Sequence, residues 1–239
     1  MTSGIASEKK ILFAAAISIG LICALPHFLI PLLTPPNVPY VPMLKKVITA
    51  VNEDEITLAP LMNRSLRDVV VAREGFLFEH RNTPTPREWL PYIMVGLLRV
   101  CAGSLEKVFF LGDLVFPPLL FLALYSFLFK LTQDRIFSIF TSVFVLFLSD
   151  IMEFLPIKSG GELKSLFLWL SSFSSPPPFL LTRFPTPELT GIFLWTAFLF
   201  LFKFFESPTK GRVFFLGVNW GLLFYMYTYY WEFFTGGCL

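Results

Sequence analysis

The chain has 239 residues, of which 55% are hydrophobic and only 15% charged, with a net charge of +2 and a mean hydropathy of +0.68. A soluble domain of this size carries about 25% charged residues, so this composition excludes an ordinary globular fold and points to a polytopic membrane protein. The small, sign-mixed charge excludes nucleic acid as a partner.

Phenylalanine alone supplies 30 residues. The three cysteines, Cys23, Cys101 and Cys238, lie far apart, which argues against a disulfide framework. The two histidines, His27 and His80, form no H-E-x-x-H, and there is no C-x-x-C, so a zinc site built from these residues is not expected.

The first apolar run, residues 11–33, follows Lys9 and Lys10 and is long enough to cross a bilayer. It exceeds a signal-peptide core and lacks a small-x-small cleavage site, so it reads as an uncleaved anchor. Pro26 and Pro31 should kink its outer end.

Residues 34–107 form a large polar loop. "TPPNVPYVP" leaves the membrane in extended form. Leu44, Val47, Ile48 and Val51 then share one helical face, and Leu58, Leu61, Met62, Leu66, Val69 and Val70 share another, with Arg64, Arg67 and Asp68 opposite. Such amphipathic helices suit the membrane interface. Thr85, Pro86 and Glu88 make a capping box before the apolar run 89–101, which is short for a span and reads as interfacial or re-entrant.

Four further spans are predicted: 108–131, 136–157, 189–205 and 213–234. The fold class is therefore an all-α membrane protein. Residues 1–239 form a single helical bundle of about five transmembrane helices with a large outward first loop. "LKSLFLWLSSF", residues 163–173, reads as a short interfacial segment, and the Pro-rich residues 176–188 as a loop. "FYMYTYYWEFF", residues 224–234, reads as an interfacial aromatic belt.

Lys9, Lys10, Lys130, Arg135, Lys203, Lys210 and Arg212 fall on one side if the spans alternate, and short basic loops mark the cytoplasmic side. The N-terminus is then cytoplasmic, and the loops 34–107 and 158–188 face outward. The chain stops at "TGGCL", soon after the last span, which suggests a truncated reading frame.

Ionisable groups at or within a bilayer are costly and need a reason. The strongest candidates are Glu53, Asp54 and Glu55 in "VNEDEITLAP". Asn52 and Glu55 can close a capping box, with the acids favoured by the helix dipole. The same carboxylates at the outer membrane face can serve as a general base toward an acceptor hydroxyl. They can equally hold a divalent cation that neutralises a leaving phosphate. Arg183, in the second outward loop, can bind that phosphate bidentately or be a solvated loop cation.

Asp113, Asp150 and Glu153 fall near the outer ends of their spans and are candidate cavity-lining acids at the same level. Tyr40 and Trp89 can stack on a sugar or anchor at the interface, and Glu88 suits a cap. No Gly-rich phosphate loop and no G-x-S-x-G occurs, so an activated substrate must arrive already energised.

In layout the chain resembles the GT-C superfamily of integral-membrane glycosyltransferases. The matching features are "NEDE" (52–55) after the first span, "GDLVFPPLLFLALYSFLF" (112–129) as the next long span, "TRFPTPE" (182–188) in the second outer loop, and "GVNWGLLFYMYTYYW" (217–231) as a later aromatic span. The resemblance implies hexosyl or pentosyl transfer from a polyprenyl-phosphate-linked sugar to a glycan, lipid or protein acceptor outside the cytoplasm. It implies Asp54 first, then Glu53 and Glu55, as general base or metal contact, and Arg183 as donor-phosphate contact. GT-C proteins are longer, with more spans and often a soluble C-terminal domain, so this chain is expected to hold only part of such a site. Two alternatives use the same spans: a transporter subunit, for which paired broken helices are missing from the sequence, and a non-catalytic scaffold, which leaves the one-sided acids unexplained.

Overall fold

The structure is a computed structural model that describes residues 2–33, 40–41, 46–47, 90–154, 188–227, 231 and 235–236. It is all-helical apart from one short strand pair. Helix α1 (Thr2–Ala24) breaks at Leu25 and resumes as α2 (Pro26–Leu33). Proline tolerates the first helical position but cannot donate a hydrogen bond to the preceding turn, so the break falls where Pro26 places it. Strands β1 (Tyr40–Val41) and β2 (Lys46–Val47) pair antiparallel. Tyr40 and Val41 are extended, as expected, and the rest of the run 34–42 lies outside the described residues. At Lys46–Val47, however, an apolar period that suggests a helix gives way to strand pairing.

Helices α3 (Leu90–Ala102), α4 (Leu105–Thr132) and α5 (Arg135–Phe154) follow. After the second long connection come α6 (Glu188–Glu206) and α7 (Lys210–Met226). Local chemistry sets the boundaries. The Ser104 hydroxyl accepts from the Lys107 amide at the start of α4. Gln133, left-handed at φ 57°, ends α4 and donates its N–H to the Phe129 carbonyl. Asp134 then caps α5, its Oδ1 accepting from the Phe137 amide at 3.0 Å, so the α4–α5 turn is only two residues long. Thr209 caps α7 by accepting from the Arg212 amide at 3.3 Å.

Among the described residues, three helical segments are long and apolar enough to cross a membrane: Lys9–Leu29, Lys107–Thr132 and Glu188–Glu206. Helix α7 spans 17 residues and ends at Met226, three residues into the aromatic run 224–234, most of the rest of which lies outside the described residues. The run 89–101, expected to be interfacial or re-entrant, forms helix α3, which packs on the bundle with Val95 fully buried against Val108 and Phe109.

Helix α4 is the centre of the bundle and packs against α1, α3, α5 and α6. Its contacts fix the direction of each neighbour. Gly20 of α1 lies against Leu114 and Pro118, while Ala16 and Ile19 join Leu120 and Phe121, so α1 runs antiparallel to α4. A Cβ at position 20 would stand 2.5 Å from the Leu114 carbonyl oxygen, so only glycine allows this approach. That carbonyl would ordinarily receive a helical hydrogen bond from residue 118, but Pro118 has no N–H to give.

Helix α6 runs parallel to α4. Leu189 packs with Phe109 and Phe116, Phe127 meets Trp195 at 5.5 Å, and Lys130 pairs with Glu206 at 2.8 Å. Helices α5 and α7 return antiparallel to their predecessors: Leu146 reaches Leu120 and Phe121, while Met226 reaches Val95 and Val108. The outer surface stays apolar, with Phe140 71% and Phe205 75% exposed. Lipid tails cover such residues at no cost, so the helices associate through close packing rather than through water exclusion.

Candidate functional site

The antiparallel arrangement gives the bundle two different ends. At one end α2 finishes, α3 and α4 meet, α5 finishes and α6 begins. The connection 34–89 therefore leaves from this end, and the connection 155–187 both leaves and re-enters there. This end holds the buried ionisable groups.

Asp113 sits two turns into α4, between Phe109 and Phe116 on one helical ridge. Its side chain is 1% exposed and that of His27 is 6% exposed; His27 Nε2 and Asp113 Oδ2 are 2.6 Å apart. The break at Leu25 lets α2 bring His27 to this level. Phe110 closes the pair on one side, meeting the His27 ring edge-on at 6.2 Å and the Phe28 ring at 5.1 Å. A carboxylate taken from water is tolerated only when it is paired and hydrogen-bonded, and His27 supplies such a partner to Oδ2 across 86 residues of sequence.

Glu188, in the first turn of α6, is fully buried at the same end, and Leu189 beside it packs on the ridge that carries Asp113. A carboxylate is favoured at a helix N-terminus by the exposed N–H groups there.

The site residues expected from sequence divide as follows. Asp113, a candidate cavity-lining acid near the outer end of its span, is enclosed and bound to His27. Asp150 and Glu153 lie in the last turns of α5, at this same end, and their side chains lie outside the described set. Glu53, Asp54, Glu55 and Arg183 lie outside the described residues, as does the capping box at Thr85. His27 and Glu188 were missed. A signal for His27 was present, since it stands six residues before Leu33 and Asp113 five residues after Val108. Two successive spans run antiparallel, so these groups fall at equal depth. Among the described residues, no three His, Cys, Asp or Glu side chains are grouped to hold a metal ion.

The opposite end carries Lys9, Lys10, Lys130, Arg135, Lys203, Lys210 and Arg212, all exposed or half-exposed, around the two tight turns. Arg212 clamps the α6–α7 turn, donating to the carbonyls of Lys203 (2.8 Å) and Ser207 (2.9 Å) and to the Ser207 hydroxyl. No family model matches the chain, and no match is found among curated proteins or solved structures.

Proposed function

We propose that the chain is a multi-pass membrane protein of GT-C type, transferring a hexosyl or pentosyl unit from a polyprenyl-phosphate donor to a glycan, lipid or protein acceptor outside the cytoplasm. One observation carries the proposal. The connections that contain Glu53, Asp54, Glu55 and Arg183 leave the bundle from the end where His27, Asp113 and Glu188 are buried, and the basic turns lie at the other end. That polarity matches an outward-facing reaction level above a cytoplasmic basic face.

In this proposal Asp54, flanked by Glu53 and Glu55, accepts the proton of the acceptor hydroxyl as the sugar is transferred, or holds a divalent cation against the leaving phosphate. Arg183 neutralises that phosphate.

The test uses membranes carrying the full chain, incubated with radiolabelled polyprenyl-phosphate sugars. Wild type transfers label, and Asp54→Asn loses about a hundredfold or more, the lower range for removing a general base. Unchanged transfer in Asp54→Asn removes that residue from catalysis. A transport subunit is the second reading, favoured by the buried His27–Asp113 pair, because intramembrane ionisable pairs also mark ion and proton pathways. No transfer by wild type, together with a cation flux in proteoliposomes that Asp113→Asn abolishes, would select it.

A further inference from the structure

We propose that the basic end of the bundle is a collar for anionic lipid headgroups. This rests on the membrane-embedded character of the chain and is independent of the transferase chemistry. The described side chains at this end include seven cations (Lys9, Lys10, Lys130, Arg135, Lys203, Lys210, Arg212) and two acids (Asp134, Glu206), a surplus of five positive charges.

The cations surround the bundle instead of forming one patch. Helix α1 contributes two, the α4–α5 turn two and the α6–α7 hairpin three. The Lys130–Glu206 bridge of 2.8 Å ties the two turns into one surface and consumes one of the two acids.

What identifies the partner is the position of apolar neighbours. Ile11 (56% exposed) follows Lys10, Leu131 (46%) follows Lys130, Ile136 (70%) follows Arg135, and Val213 (51%) follows Arg212. Each of these cations therefore stands at the depth of an exposed hydrocarbon side chain. A soluble acidic protein would have to cover both kinds of surface, whereas a phospholipid does so with one molecule, tail against the apolar side chain and phosphate against the cation. The long side chains are arranged for this. The Arg135 guanidinium lies 5.6 Å from the Phe129 ring centre and the Lys203 ammonium 5.8 Å from that of Phe200, so their stems follow the apolar surface while their charges sit at its edge. Phosphates at this level meet a surplus of cations, so anionic lipid is favoured over zwitterionic lipid.

The experiment places the full chain in bilayers of phosphatidylcholine with about 30% phosphatidylglycerol and measures by spin-label spectroscopy the association of each labelled lipid with the protein. Phosphatidylglycerol should be preferred roughly threefold or more at about 0.05 M salt, and the preference should fall toward one at about 0.5 M. The combined variant Lys10→Gln, Arg135→Gln, Lys203→Gln and Lys210→Gln spares the Lys130 bridge and the Arg212 clamp, and should lose most of the preference while keeping its helical circular dichroism. Arg99→Gln with Lys107→Gln, at the other end, should keep it. Equal association of both lipids at low salt overturns the proposal. So does a preference that survives in the four-site variant, or that is lost only in the control. If the four-site variant unfolds, the four single variants are measured instead, and the proposal is overturned unless each lowers the preference.

Discussion

The two ends of the bundle treat charge in opposite ways. At the basic end the cations stand around short capped turns, and the one ion pair described there, Lys130–Glu206, is 31% and 42% exposed. At the other end Arg99 is half-exposed and Lys107 exposed, but three ionisable groups are inside: His27 and Asp113 are enclosed by α2, α4 and Phe110, and Glu188 is fully buried. The first arrangement costs little, because water and headgroups solvate the charges. The second is costly wherever it is not required, so the buried end is where function is to be sought.

This contrast can be tested by removing one partner at each end. His27→Ala leaves the Asp113 carboxylate enclosed without its imidazole and should lower stability by about 3 kcal/mol, measured by unfolding in mixed micelles. Asp113→Asn keeps an oxygen within reach of the imidazole and should cost less, about 1–2 kcal/mol. Lys130→Gln, at the half-exposed bridge, should change stability by less than about 1 kcal/mol. A loss at Lys130 equal to that at His27 would erase the distinction between the ends. The double variant His27→Leu with Asp113→Leu sharpens it. An apolar pair of similar volume should recover most of the stability lost in His27→Ala. If the pair serves function and not only folding, the recovered variant remains inactive in sugar transfer.

The helices were legible in the sequence because apolar length and charged turns mark them. The predicted spans 108–131, 136–157 and 189–205 agree with α4, α5 and α6 to within three residues at each end. The break at Pro26 was legible for the same local reason. Tertiary placement was not. The run 89–101 is too short to span, and only the surface offered by Val108 and Phe109 draws α3 into the bundle. Lys46 and Val47 fit a helical period, yet pair with Val41 and Tyr40, a choice that periodicity in a short segment does not decide. The His27–Asp113 pair depends on α1 and α4 approaching through Gly20 and on the turn at Leu25, two facts that become visible together only in three dimensions.

The proposed function puts the buried-charge end outward and the basic turns in the cytoplasm. Site-directed labelling tests it most directly. In a background with Cys23, Cys101 and Cys238 replaced, Asn52→Cys and Gln133→Cys are each exposed to a membrane-impermeant maleimide on intact cells. Position 52 should be labelled without breaking the membrane, and position 133 only after lysis. Labelling of position 133 on intact cells, or protection of position 52 until lysis, would contradict the orientation.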